Sequence, residues 1–331
     1  MTNIYDALVV GGGAAGLSAA LVLARARRTV LVVDAGRPRN APAEHLHGFL
    51  SRDGVAPADL LAFGQAEVAG YGGEIRTGTV TRIEHGFDGF RAQLGSSGPV
   101  YARAVLLAGG GSDELPAITG LREHWGRGVA HCPYCHGYEV RDQPIGVIAT
   151  GPWAVHQALL LRQWSGDVML FTHRHPDLDD ADWARLGARG ISVVDGVVDE
   201  VLAADDHVTG VRLESGREFA RTALFVGPYF RATVPAGLDL ETASTEAASF
   251  VVSDATGRTG VAGVWAAGNV TDPMAQVIIA AAAGSRAGAD INGFLMEADI
   301  ELAQELARPF SGRAEAANCE RVLGDRRHGL G

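Results

Sequence analysis

Residues 6–16 read Asp6-Ala7-Leu8-Val9-Val10-Gly11-Gly12-Gly13-Ala14-Ala15-Gly16, and apolar residues continue to Leu23. A short apolar run, a glycine cluster and a longer apolar run predict a strand, a tight turn and a helix in that order. Gly11, Gly13 and Gly16 carry the spacing of a dinucleotide fingerprint. The first permits the tight turn, the second admits a pyrophosphate, and the third lets the helix pack close on the strand. Ala14 and Ala15 open the helix, whose unpaired backbone amides supply an anion site. The next predicted strand, 29–33, ends in Asp34, eighteen residues after Gly16, where a carboxylate can take a ribose hydroxyl. The competing reading is a tight turn with no nucleotide.

A second strand, turn and helix is predicted at 145–164, where Ile145 to Ile148 lead into Ala149-Thr150-Gly151-Pro152-Trp153-Ala154. It reads as a damaged copy of the first. Ala149 stands at the tight-turn glycine, and Trp153 puts a bulky ring near the pyrophosphate seat. Strand 168–171 ends in Thr172-His173-Arg174-His175 with no carboxylate for a ribose hydroxyl, so NADH is disfavoured. Arg174 or His173 can still hold a 2'-phosphate, which leaves NADPH open.

Between the two units, 37–49 is polar and turn-rich, with Arg37-Pro38-Arg39-Asn40 and then His45 and His47. A segment of this length is expected to line a site, with Asn40 and His47 as candidates. A lone histidine is equally readable as a surface or satisfied core residue. An amphipathic scaffold helix is expected over 57–71, and short alternating runs over 74–101 predict a small antiparallel sheet. Strand 104–108 then runs into Gly109-Gly110-Gly111, taken as a crossing to a second domain, and strand 223–226 meets Gly227-Pro228, where the chain returns. A final strand at 261–267 is followed by Gly268-Asn269-Val270-Thr271-Asp272-Pro273. Asp272 before Pro273 predicts an N-cap and first turn, opening a helix through Gln276 and Val277 to about 289. Amides at such a start can stabilise electron density on a reduced cofactor. From Glu297 the chain reads as a charged tail with one helical piece, and Cys319 there as a bystander thiol.

The chemistry is expected at His131-Cys132-Pro133-Tyr134-Cys135-His136-Gly137-Tyr138, which holds two of the three cysteines. A Cys-x-x-Cys pair can close a small disulfide, and a helix start or an imidazole beside it favours thiolate near neutral pH. The alternatives are two buried thiols or a zinc half-site of His131, Cys132, Cys135 and His136. Zinc sites generally bring a second ligand pair, and Cys319 is the sole remaining cysteine. In 331 residues, three cysteines make no disulfide framework, which points to a reducing, cytoplasmic setting and a catalytic disulfide. A net charge of -11 opposes nucleic-acid binding. Residues 7–24 are uncharged, but the four glycines within them argue against a membrane span, and Asp6 with no preceding basic residue argues against a signal peptide.

Two glycine turns separated by a Cys-x-x-Cys, closed by a strand, Gly268-Asn269 and a helix, resemble the low-molecular-weight thioredoxin reductases over about 5–293. That resemblance implies an α/β fold of two Rossmann-like nucleotide-binding domains in a homodimer: 1–113 with 229–331 for FAD, and 114–228 carrying the cysteines and an NADPH-type unit. It assigns FAD to Gly11, Gly13, Gly16 and Asp34, and the 269–276 segment to the ribityl chain and flavin ring. The sequence departs from those reductases where they usually have an aspartate after the second cysteine, since here His136 follows Cys135. Asn269 likewise stands where the broader family generally has aspartate. Cys-Pro-Tyr-Cys-His-Gly-Tyr-Glu is more similar to the thioredoxin-reductase-like dithiol oxidases that close disulfides in gliotoxin, holomycin and romidepsin. The implied activity is oxidation of a small-molecule dithiol by FAD with O2 as acceptor, without need of NADPH. A substrate thiolate would attack Cys132, Cys135 would pass two electrons to FAD, and His136 or His131 would move the protons. The rival readings are an NADPH-dependent disulfide reductase and a non-catalytic redox or zinc-binding module.

Overall fold

The computed structural model describes residues 4–86, 89–95, 98–175, 177–308 and 312–323. The chain starts with β1 (Ile4–Val10), α1 (Ala14–Arg25), β2 (Val30–Asp34), α2 (Pro57–Gly70), β3 (Glu74–Thr77), β4 (Val80–Gly86), β5 (Gly89–Leu94) and β6 (Val100–Leu107). These strands form one sheet in the order β3-β2-β1-β6-β5-β4. β3, β2, β1 and β6 run parallel, while β5 and β4 are antiparallel additions. The antiparallel pairing expected over 74–101 holds for β4, β5 and β6, whereas β3 pairs parallel to β2, and all of them belong to this sheet. β3 caps one edge and the β4-β5 hairpin lies on the other side of β6.

The central strands β1, β2 and the second half of β6 read as continuous apolar runs because both their faces are covered. Alternate residues divide between two cores. Ala7, Val9, Val30, Val32, Ala104 and Leu106 face α1. Leu8, Leu31, Val33, Val105 and Leu107 face the opposite way, with Ile83, Phe90 and Leu94 of the hairpin.

After β7 (Gly111–Glu114) the chain forms β8 (Val129–Ala130), α3 (Pro133–His136), β9 (Ile145–Ile148), α4 (Trp153–Leu161), β10 (Val168–Phe171), α5 (Asp180–Ala188), β11 (Ser192–Val194), β12 (Val198–Ala204), β13 (His207–Leu213), β14 (Glu218–Ala220) and β15 (Ala223–Val226). A second, wholly parallel sheet has the order β11-β10-β9-β15-β8, and β12-β13-β14 form an antiparallel layer beside it. It too is covered on both faces. The return comprises β16 (Tyr229–Ala232), β17 (Thr242–Ser244), β18 (Ala248–Val251), β19 (Val264–Ala266), α6 (Val277–Ala307) and α7 (Gly312–Leu323). β19 pairs with the second half of β6, so the chain returns to the sheet where it began. β7 and β16 pair antiparallel, which lays the outgoing and returning crossings side by side. We propose that the two domains divide at this pair of crossings, near 114 and 228.

Two expectations for the final segment are corrected. α6 begins at Val277, four residues later than Pro273, because Asp272 Oδ1 accepts from the Met274 amide at 3.0 Å and closes a turn instead of capping a helix. It also runs to Ala307, so the stretch from 297 starts as helix. Among the described residues no helix is long and apolar enough to cross a membrane.

α6 crosses α1 at van der Waals closeness because its contact residues are small. A Cβ on Gly284 would fall on the Ala15 carbonyl oxygen, and one on Gly288 would lie 2.8 Å from that of Ala19. Gly293, further along the same helix, faces open space, and a Cβ added there would meet nothing within 4 Å. Gly284→Val is expected to destabilise the fold by about 3 kcal/mol or more. Gly293→Ala should be neutral or stabilising by up to about 1 kcal/mol. Thermal unfolding of the two variants checks both.

Candidate active site

The turn after β1 is built around missing side chains. Gly11 has φ +105°, and a Cβ there would collide with the backbone of Ala108 and Gly109 on the neighbouring strand end. Gly16 is buried against the Gly11 carbonyl, which is the close helix-to-strand contact expected of it. Gly13 differs, since a Cβ there meets nothing within 4 Å. It is the N-cap of α1 and makes no side-chain cap, so the first amides of that helix are left for a ligand. Asp34 Oδ1 accepts from the Gly12 amide at 3.1 Å, which holds the carboxylate at the turn.

These residues open onto a cavity of about 1590 Å³. Gly11, Gly13, Ala14, Ala15 and Asp34 line it on one side, with Asn40 and His47 from the polar loop. Gly268, Asn269, Gln276 and Val277 line it from the end of the chain. Gly16 alone of the expected cofactor residues lies outside it, beneath the turn. Gly268 has φ +83° and sits where a Cβ would come within 2.8 Å of Ala15 Cβ. Asn269 is turned mostly to its own loop, with Nδ2 donating to the carbonyls of Asp272 and Ala275, each at 2.9 Å. Gln276 is the N-cap of α6 with no side-chain cap, so a second helix start faces the same space.

Cys132 and Cys135 also line this cavity and are joined as a disulfide with Cα atoms 5.3 Å apart. Cys132 is the N-cap of α3, and its carbonyl accepts from the amides of Cys135 and His136, each at 3.2 Å. Gly137 packs against the Trp164 ring too closely for any side chain, and Gln157 Nε2 of α4 donates to the His131 carbonyl at 2.7 Å. The redox loop is thus pinned at both ends to the second sheet's helices.

Both flanking imidazoles are held neutral at pH 7. Burial, helped by the Arg39 charge and opposed by Asp113, pushes His131 down to about 4. Burial also lowers His136, opposed by Glu139, and neither of its ring nitrogens has a hydrogen-bond partner. A neutral imidazole with free nitrogens beside a dithiol can accept a proton. His47 lies between two carboxylates, with Nδ1 3.3 Å from Asp53 and Nε2 3.4 Å from Glu139.

Arg39 reads in the sequence only as part of a polar turn, yet it is central to the site. Its Nε and Nη2 donate to the two oxygens of Asp113 at 2.9 and 2.7 Å, and Nη1 donates to the Pro273 carbonyl at 2.8 Å. Its guanidinium also stacks 4.7 Å from the Phe230 ring centre. One side chain therefore ties the polar loop to β7, β16 and the turn before α6. The Arg-Pro-Arg-Asn run signals a polar loop, while the bidentate partner lies 74 residues away.

At the second glycine turn the tight-turn position is Ala149, which is buried, where the first has Gly11, and Gly151 stands at the position of Gly13. Gly151 has open space around it, and α4 begins at Trp153, whose side chain is 69% exposed and lines the cavity. Neither candidate for a 2'-phosphate lines that cavity. His173 is buried, its Nδ1 accepting from the Val198 amide at 3.1 Å, while Arg174 is 73% exposed and faces Glu214 at 3.8 Å. Among the described residues, no group of three or more His, Cys, Asp or Glu is arranged to hold a metal ion.

Residues 5–284 match the model of the pyridine nucleotide-disulphide oxidoreductases, and the chain belongs to that family. It is 32% identical to thioredoxin reductase sirT of Leptosphaeria maculans over 92% of this chain and 98% of that one. Among solved structures it is similar to HlmI, with 46% identity, a TM-score of 0.86, and coverage of 93% of this chain and 98% of the other. An oxidoreductase from Agrobacterium tumefaciens shows 38% identity and a TM-score of 0.85, over 89% and 99% of the two chains. The fold is that of the thioredoxin reductases, and family membership implies FAD. The cradle fits that group: Gly13 leaves room where a pyrophosphate would meet the α1 amides, and the cavity runs from there to the disulfide.

Gly13→Val should fold with a melting temperature near that of the wild-type apoprotein yet purify without yellow colour, whereas Gly151→Val should keep the colour. Absorbance near 450 nm and thermal unfolding of each read this out. The imidazoles also set an acid limit on stability. The folded pKa of His131, about 4, lies below the unfolded value of about 6.5, so its contribution is complete above pH 6.5 and is lost as pH falls toward 4. The loss is at most about 1.4 kcal/mol per pH unit. His131→Asn should flatten the urea midpoint between pH 6.5 and 4 by about one proton's worth of slope.

Proposed function

We propose that this protein oxidises a small-molecule dithiol to its intramolecular disulfide, with FAD as bound cofactor and O2 as final acceptor, in the making of a disulfide-containing natural product. The observation that carries the reading is a single cavity that joins the Cys132–Cys135 disulfide to the intact glycine turn, while Trp153 occupies the start of the helix after the altered one.

One substrate thiolate attacks Cys132, forming a mixed disulfide and freeing Cys135. The second substrate thiol then displaces Cys132, leaving the substrate as a disulfide and the enzyme as a dithiol. His136 takes the protons released on attack, ahead of His131, whose pKa of about 4 makes it the weaker base. FAD, held by the Gly11–Gly16 turn and the start of α6, would supply the two-electron acceptor between the reduced pair and O2, so that one dithiol and one O2 would give one disulfide and one H2O2. The α6 amides at Val277 lie where they can offset added electron density. Cytoplasmic location and a homodimer belong to the same reading, from cysteine usage and the sequence resemblance.

A second reading, an NADPH-driven disulfide reductase, is favoured by the names of the family and of the Leptosphaeria maculans relative. The two separate without ambiguity in solution. In the absence of oxygen a dithiol such as dithiothreitol should bleach the bound flavin, and micromolar NADPH should not. In air, dithiol-dependent oxygen uptake should yield peroxide one for one. Rapid bleaching by NADPH with no oxygen uptake on dithiols would establish the reductase instead.

A further inference from the structure

We infer that Trp153 is a substrate-binding residue, and that the dithiol this enzyme prefers carries a flat aromatic or heteroaromatic ring without charge. The inference rests on the dithiol-oxidase reading and adds the class of substrate to it.

Trp153 is the first residue of α4 and 69% exposed, although it lines the same cavity as the disulfide. Its ring lies edge-on to His156, at 6.1 Å between centroids. A large ring held at a cavity wall and largely wet gains by stacking on a planar ligand. Within the redox loop Tyr134, 64% exposed, lines the cavity as well, its ring edge-on to Trp164 at 5.8 Å.

The helix that carries Trp153 offers a ligand no charge of its own. α4 reads Trp-Ala-Val-His-Gln-Ala-Leu-Leu-Leu and contains no Asp, Glu, Lys or Arg. The arginine after it, Arg162, is turned to the carbonyls of Arg189 and Ser165, at 2.9 and 2.8 Å. Arg39 is engaged with Asp113. A phosphate at this helix start would meet an indole in place of a cation. The position is also useful to the chemistry, because Gln157, one turn along α4, holds the His131 carbonyl next to Cys132. A ring stacked on Trp153 is therefore fixed relative to the sulfur it must reach.

The test uses the holoenzyme and two dithiols, 1,2-bis(sulfanylmethyl)benzene and dithiothreitol, followed by oxygen uptake. Trp153→Ala should raise KM for the aromatic dithiol about tenfold with kcat unchanged, leave dithiothreitol kinetics as they were, and be rescued by Trp153→Phe. Calorimetric binding of the cyclic disulfide product, 1,4-dihydro-2,3-benzodithiine, should weaken about tenfold in Trp153→Ala and recover in Trp153→Phe. An equal change for both dithiols, or none for the aromatic one, overturns the assignment. Absence of oxygen uptake with either dithiol in the wild type would defeat the oxidase reading, while the binding measurement still decides the role of Trp153.

Discussion

The arrangement of the site depends on how closely α1 can approach its neighbours. Gly16 lets it press on the turn after β1, and Gly284 and Gly268 let α6 and the loop before it press on Ala15. Each contact is backbone against backbone or methyl, and each would be lost with a single added carbon. Because α1 is clasped on both sides, two helix starts, one at Ala14 and one at Val277, open into the same cavity. Two sets of free amides and no competing carboxylate cap make that space suited to a long anionic cofactor with an electron-accepting end.

The disulfide is brought to this space by a different set of ties. Gln157 and the Gly137–Trp164 contact fix the redox loop to the second sheet's layer, and Arg39 fixes the polar loop to the paired crossings. Arg39 also bears on the chemistry, because its charge adds to burial in keeping His131 neutral. His136 is lowered by burial with Glu139 pulling the other way, so the two imidazoles around one dithiol are set apart in basicity by their surroundings.

The two glycine turns show how one motif can be kept or released. At Gly11 a side chain is forbidden by the adjoining strand end, whereas its counterpart in the second turn, Ala149, carries one, and Gly13 and Gly151 are alike in having open space. Ala149 is fully buried in the second core and Trp153 stands in the opening.

Much of this was legible in the residues. The glycine spacing, the apolar strands and the Cys-x-x-Cys determine the fold class and the redox pair, because each rests on local geometry: a turn that needs φ above zero, strands buried on both faces, two thiols one helical turn apart. What lay beyond the sequence depended on distant partners. The alternation over 74–101 signals antiparallel strands, but it does not reveal that β6 has a free side to accept the β4-β5 hairpin or that β3 pairs with β2. Asp272 and Pro273 looked like a helix start, but the Asp272 carboxylate closes a turn on Met274, and the helix waits for Val277. Arg39 had no signal of its own, because its worth comes from Asp113 and Pro273, far along the chain. Only tertiary structure joins such groups, since a side chain's neighbours across a fold are chosen by packing and not by sequence distance.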